Sequence, residues 1–142
     1  MVRTAVNNPT AWQTRVPHDA RSAAAVRRWL ADILDPDADR LADLHAVATE
    51  LICNAVRHAT PLADGDISVS CLRDEDIIEL AVTDGGGRTR PRLRPLDTAA
   101  ADGRGLLIVS ALASGWGVRD DGGGTTVWAR LAGSHDSVVG GP

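Results

Sequence analysis

The sequence predicts a two-layer α/β sandwich of the α+β kind, in which helices cover one face of a mixed, mostly antiparallel sheet. Segments with the two-residue alternation of strands and segments with helical periodicity follow one another in the order βααββαββ. Short turns join neighbouring strands, which favours antiparallel pairing. The chain has 142 residues, enough for one domain with one core and little more.

The predicted elements, in chain order, are a strand at 12–16, helices at 19–34 and 38–58, strands at 67–71 and 77–84, a helix that follows Gly105 and ends near 114, and strands at 116–119 and 125–131. Asp19 is a suitable cap for the first helix, because its side chain can accept a backbone amide proton. A turn at 35–37 separates the two long helices, and the second must stop before Pro61.

The strands follow from alternation. Apolar residues alternate with Ser68 and Ser70 in the second strand, and Ile78, Leu80 and Val82 share one face of the third. The last two strands flank a glycine-rich turn at 120–124.

The remaining segments lack periodicity. Residues 1–10 are predicted to form a mobile arm, residues 11–132 the domain, and the Gly/Ser-rich residues 133–142 a disordered tail. Within the domain, residues 86–103 carry four alternating arginines and no apolar period. Long loops inside compact domains are usually lids or binding loops, so we expect a lid here.

Composition narrows the class of function. Apolar residues make up 44% and charged residues 24%, as in ordinary globular domains. The net charge of −4 argues against nucleic acid as the main partner. No apolar run is long enough to span a bilayer and none near the N-terminus resembles a signal peptide, so we expect a cytoplasmic protein with no membrane partner.

Lysine is absent, and all fifteen basic residues are arginine. A standard P-loop, a eukaryotic-type protein kinase and Schiff-base catalysis each require a lysine. These classes are therefore excluded in their standard form. Any phosphate chemistry in this chain must rely on arginine, backbone amides and a metal ion.

The second helix places three polar side chains together. Glu50, Asn54 and Arg57 fall within an arc of roughly 60° at the edge of its apolar face. A carboxylate can accept a proton, an amide oxygen suits Mg²⁺, and a guanidinium suits phosphate. The spacing is equally compatible with a solvated helix flank on which Glu50 pairs with Arg57.

Asp84 and Thr125 both have the strand parity that points toward the core. A buried carboxylate needs hydrogen-bond donors, and the exocyclic amine of a base could supply one. Alternatively, Asp84 caps the glycine turn at 85–87. For Thr125, we expect a hydroxyl whose hydrogen bond is made within the core.

The segment Gly103, Arg104 and Gly105 lies directly before the last, apolar helix. Glycines there let backbone amides approach phosphate oxygens, and the helix dipole favours an anion. A plain loop-to-helix junction would have the same sequence. The segment is not a dinucleotide-binding fingerprint, because a third glycine and a preceding strand are missing.

Together, and in this order, these segments resemble the GHKL (histidine-kinase-like) ATPase family. Residues 50–59 resemble its N box, E-L-x-x-N-A-x-[KR]-H-A, and residues 84–86 its G1 box, D-x-G-x-G. Residues 103–106 resemble the G2 box, G-x-G-[LM], and residues 124–127 the closing G-T element. Arg88 replaces the second G1 glycine, which puts the start of the lid in doubt. The resemblance spans nearly the whole chain and looks closest to bacterial anti-sigma-factor serine/threonine kinases.

The resemblance implies a Bergerat ATP-binding fold with ATP and Mg²⁺ as cofactors. It implies Glu50 as general base and Asn54 as the Mg²⁺ ligand. Arg57 would lie near the phosphates and Asp84 would bind the adenine amine. The implied ATP-binding residues are Asn54, Arg57, His58, Asp84, Gly86, Gly103, Arg104, Gly105, Leu106 and Thr125.

The resemblance also implies a function. The chain would transfer the γ-phosphate of ATP to a serine of an anti-anti-sigma (STAS) protein, with a sigma factor as a second partner, and a homodimer is compatible with the family. The alternative is an ATP-binding module that sets partner choice without kinase activity. A histidine kinase fragment is disfavoured, because there is no room for a helix pair carrying a phosphoacceptor histidine. A domain that does not bind ATP is a further alternative.

Overall fold

The computed structural model of this chain describes residues 9–34, 38–87, 103–120 and 122–132. Its elements are β1 (Thr10–Pro17), α1 (Ser22–Leu34), α2 (Ala38–His58), β2 (Asp66–Asp74), β3 (Ile77–Asp84), α3 (Gly103–Leu112), β4 (Gly115–Asp120) and β5 (Thr125–Leu131). The predicted order βααββαββ is confirmed. Most of the predicted arm, the tail at 133–142 and the lid residues 88–102 lie outside the described residues.

The five strands form one sheet in the order β1-β2-β3-β5-β4. Every pairing between these strands is antiparallel. The predicted two-layer fold is confirmed, and the described strands adopt the antiparallel form of the sheet. β3 lies at the centre of the sheet, and its last residue, Asp84, pairs with Thr125 of β5, whereas the pairing with β2 reaches Thr83.

The helices pack against one face of the sheet and enclose the core. The largest fully buried side chains come from α1, α2, α3 and the inward positions of the strands: Val26, Leu30, Leu44, Val47, Leu51, Ile52, Ile67, Val69, Ile78, Leu80 and Val109. Full burial of each side chain of this size stabilises the fold by about 1.5–3 kcal/mol. This packing fixes α2 against the centre of the sheet.

The helix ends follow from local hydrogen bonding. α1 begins at Ser22, three residues after Asp19, so its predicted start is early. The Asp19 side chain accepts the Arg21 amide at 2.8 Å and stabilises the turn that leads into the helix. α2 ends at His58, and the Ala59 amide still reaches the Ala55 carbonyl at 3.2 Å. α3 begins at Gly103, earlier than predicted. Among the described residues, no helix combines the length and apolar character that a membrane crossing needs.

Candidate functional site

The last turns of α2 present the four predicted polar residues. Glu50 and Asn54 are half-buried, whereas Arg57 and His58 are exposed. The side chains of Glu50, Asn54 and Arg57 make no hydrogen bond or ion pair with any residue that the structure describes. The alternative Glu50–Arg57 pair is therefore not formed. A carboxylate, an amide and a guanidinium remain available to a ligand on one side of the helix.

Asp84 ends β3 and is only 4% exposed. Its Oδ1 accepts the Gly86 amide at 2.7 Å, while its Oδ2 makes no hydrogen bond to the described part of the chain. Burial raises the pKa of this carboxyl, and the Gly86 amide and the nearby His18 oppose that rise. Asp84 therefore caps the glycine turn, as one of the two interpretations predicted, and its second oxygen has no partner among the described residues.

Glycines bring the backbone close to Asp84. Gly86 has a φ of 89°, a conformation that other residues rarely adopt, and a Cβ there would lie 3.6 Å from Thr125 Oγ1. A Cβ on Gly124 would overlap the carbonyl oxygen of Asp84. The chain therefore needs glycine at both positions to close around the carboxylate.

Thr125 lies directly across the β3–β5 pairing from Asp84. It is 5% exposed, and its hydroxyl donates to Asp120 Oδ1 at 3.3 Å. The expected core hydroxyl with a satisfied hydrogen bond is confirmed. Its position beside Asp84 and Gly86 also makes it part of the wall around the carboxylate.

Thr60 connects the end of α2 to the glycine turn. The Gly86 carbonyl accepts both the Thr60 amide, at 3.0 Å, and the Thr60 hydroxyl, at 2.7 Å. In return, the Gly85 amide donates to the Thr60 carbonyl at 2.8 Å. A Cβ on Gly85 would overlap the carbonyl oxygen of Pro61, so the two segments touch backbone to backbone.

His18 is a second residue of this region that the sequence did not indicate. Its Nε2 lies 3.1 Å from the Ala55 carbonyl oxygen and 2.9 Å from that of Ala59, at the end of α2. No ligand spacing marks His18 in the sequence. Thr60 could have been suspected from the sequence only because it directly follows the segment that resembles the N box.

α3 contributes a helix N-terminus. Gly103, Arg104, Gly105 and Leu106 form its first turn, whereas we predicted that the glycines precede the helix. The first four amides of a helix have no acceptor within it and attract anions. α3 packs against α2, so the N-terminus of α3 lies in the same layer of helices as Asn54. The side chains of residues 103–106, and Arg88 with the lid, lie outside the described residues.

The donor set limits how a metal ion could bind. Within the described ranges, no group of three or more His, Cys, Asp or Glu residues could hold one. The Asn54 amide makes no side-chain hydrogen bond there. Mg²⁺ usually takes one or two protein ligands and completes its shell with phosphate oxygens and water. The residues present therefore fit Mg²⁺ that arrives with a phosphate ligand and do not form a metal site of their own.

The geometry joins two chemically different regions. One surrounds Asp84 and offers a buried acceptor beside a threonine and a glycine turn. The other lies on α2 and offers Glu50, Asn54 and Arg57. Thr60, two residues after the end of α2, links them through its hydrogen bonds to the glycine turn that follows Asp84. Such a site can bind a ligand that carries an amine donor at one end and anionic groups at the other.

Comparison with known proteins agrees with this arrangement. The family model described as a histidine kinase-like ATPase domain matches residues 16–131. Among solved structures, the crystal structure of the RsbU and RsbW domains of Rv1364c from Mycobacterium tuberculosis matches with a TM-score of 0.65 and 22% identity, over 87% of this chain and 32% of that chain. That likeness establishes a shared fold, and this chain spans about a third of the other's length. The chain belongs to the histidine kinase-like ATPase domain family.

Proposed function

We propose that this chain binds ATP with Mg²⁺ and transfers the γ-phosphate to a serine or threonine of a regulatory protein. The observation that carries the proposal is the pair Glu50 and Asn54. They lie one turn apart on α2, half-buried, and neither side chain has a partner among the described residues. A domain that only bound nucleotide would have no evident need for the free carboxylate.

Asp84 would recognise the base. Its Oδ2 is available, and the exocyclic amine of adenine is a donor that would satisfy it. The Gly86 turn allows the ring to approach the backbone, and Thr125 lies beside it. Binding would give the unpartnered Oδ2 of this buried carboxylate a hydrogen-bond donor. Adenine is therefore favoured over bases that present an acceptor at that position.

Glu50 would activate the acceptor. It takes the proton from the serine hydroxyl of the partner as the hydroxyl oxygen forms a bond to the γ-phosphorus. The bond from the γ-phosphorus to the bridging oxygen breaks, and ADP leaves with that oxygen. Arg57 is exposed near the same helix end and offers its guanidinium to the phosphates. His58 and the first-turn residues Gly103 to Leu106 are the other proposed phosphate-side contacts.

Asn54 would hold Mg²⁺ together with phosphate oxygens of the nucleotide. When bound, this ion supplies positive charge that offsets the charge of the transferred phosphoryl group. The role of Asn54 in this chain is to position that charge next to Glu50. Its fixed place on α2, one turn from Glu50, supports this role.

The proposed substrate is a small anti-anti-sigma (STAS) protein, with a sigma factor as a second partner; a homodimer is compatible with this function. The sequence resemblance to anti-sigma-factor kinases and the fold shared with the RsbW-domain structure support this choice. The competing function is an ATP-binding module that changes partner without phosphotransfer. The kinase and the binding module would use the same nucleotide contacts, so only a phosphotransfer assay distinguishes the two functions.

The test is a phosphotransfer assay with γ-labelled ATP, Mg²⁺ and candidate STAS proteins. We expect label on a serine or threonine with the parent chain and transfer that is slower by about 10²- to 10⁴-fold with Glu50→Gln. The matched control is Glu79→Gln, which removes a carboxylate that pairs with Arg130 at 3.0 Å on the opposite face of the sheet. Nucleotide binding without transfer to any STAS protein would favour the binding-module function and contradict a kinase.

A further inference from the structure

His18 caps the C-terminal end of α2. Its Nε2 lies within hydrogen-bond distance of two carbonyl oxygens, 3.1 Å from Ala55 and 2.9 Å from Ala59. Because both partners are acceptors, Nε2 must carry the proton and donate. The Ala55 carbonyl also accepts the Ala59 amide at 3.2 Å, so the imidazole bridges the last helical turn and the residue that follows it. The imidazole therefore holds the end of the helix that bears Asn54.

The backbone around His18 is itself held in place. The Pro17 carbonyl accepts the Asp19 amide at 2.8 Å and the Ser22 hydroxyl at 2.7 Å. The Asp19 side chain accepts the Arg21 amide at 2.8 Å. A turn with this many bonds, between the end of β1 and the start of α1, gives the imidazole a fixed support.

From the end of α2, hydrogen bonds continue to the adenine side of the site. Thr60, which directly follows Ala59, donates twice to the Gly86 carbonyl. The Gly86 amide in turn donates to Asp84 Oδ1 at 2.7 Å. Burial raises the pKa of Asp84, and the Gly86 hydrogen bond and the charge interaction with His18 oppose that rise.

We propose that His18 is a positioning residue for base selection: by fixing the end of α2 it fixes Thr60 and Gly86, and through them the Asp84 carboxylate that accepts the amine of adenine. This inference rests on the proposed nucleotide binding. Guanine presents a carbonyl oxygen where adenine presents the amine, and two acceptors facing each other repel. A carboxylate whose position is fixed therefore discriminates between the two bases. A carboxylate that can shift away from the base discriminates less.

The test compares ADP and GDP affinities, measured by calorimetry, for the parent, His18→Ala and His18→Gln. We expect His18→Ala to weaken ADP binding by about threefold to tenfold, the range of one ordinary hydrogen bond, while GDP binding changes little. Gln carries an amide nitrogen that can donate in place of Nε2, so it should restore much of the preference. His45→Ala, which removes an imidazole about 15 Å before Ala55 along α2, is the control and should keep the parent ratio.

A lower melting temperature in His18→Ala with an unchanged ratio of ADP to GDP affinity would overturn the inference, because a purely structural residue would behave this way. If His18→Ala does not fold, Thr60→Val against Thr60→Ser tests the same connection through the hydroxyl bonded to Gly86. The ratio should fall with Val and persist with Ser, and equal ratios would again overturn the inference. A parent chain that binds neither nucleotide would instead refute the proposed function.

Discussion

The substitution Asp84→Asn should weaken nucleotide binding and leave the apo fold intact or more stable. The asparagine oxygen can still accept the Gly86 amide, which the aspartate accepts at 2.7 Å. The second atom becomes an NH₂ group, which faces the adenine amine donor to donor. The loss is that of one hydrogen bond to a charged group, about 1.5–3 kcal/mol, or roughly 10- to 150-fold in ADP affinity.

The effect on stability has the opposite sign. Burial raises the pKa of Asp84 in the folded protein above its unfolded value, so the folded state binds more protons in the window between the two values. The contribution of this group to stability therefore falls as pH rises through that window and remains unfavourable at neutral pH. Asparagine removes that contribution. Urea denaturation should find apo Asp84→Asn at least as stable as the parent at pH 7.

Calorimetry with ADP and denaturation on the same samples test both effects. Parent-like ADP affinity in Asp84→Asn would refute the assignment of the carboxylate to the base. A large loss of apo stability would refute the reasoning about burial, because it would mean that the negative charge is needed for folding.

Three further predictions test other parts of the site. Glu50→Gln should keep ADP affinity and lose about 10²- to 10⁴-fold in phosphotransfer, in a single-turnover assay, because general-base catalysis contributes that much. Gly124→Ala should destabilise the fold by about 1–3 kcal/mol, since its Cβ would overlap the Asp84 carbonyl, while Gly123→Ala, with nothing within 4 Å, should be nearly neutral in the same denaturation series. Hydrogen exchange of residues 88–102 should slow more with a non-hydrolysable ATP analogue than with ADP, because arginines there can pair with the γ-phosphate; equal, fast exchange in all states would contradict a nucleotide-dependent lid.

Much of the fold could be predicted because periodicity and turn residues agree along the chain. The predicted limits of α2 and β3 coincide with the observed ones. Both elements have a clear apolar period and end at turn-forming residues. α3 begins at Gly103, whereas we predicted a helix that follows Gly105; glycines are poor helix formers, yet here they are part of its first turn.

The site was only partly predictable. Asp84 and Thr125 could be placed on the inward face of their strands by parity, but their pairing across β3 and β5 depends on the sheet register. His18 and Thr60 act through contacts between segments distant in sequence, and neither residue type has a local pattern that reports such a contact. Sequence spacing also could not decide whether Glu50 pairs with Arg57, which depends on the side-chain conformations.

The central claim is that this domain binds an adenine nucleotide with Mg²⁺ through Asp84 and Asn54. Calorimetric titration of the purified parent chain with ADP and with a non-hydrolysable ATP analogue, each with and without Mg²⁺, tests it most directly. The account predicts saturable binding that is stronger with Mg²⁺ and that is weakened by Asp84→Asn. Absence of binding to the folded parent under all four conditions would contradict it.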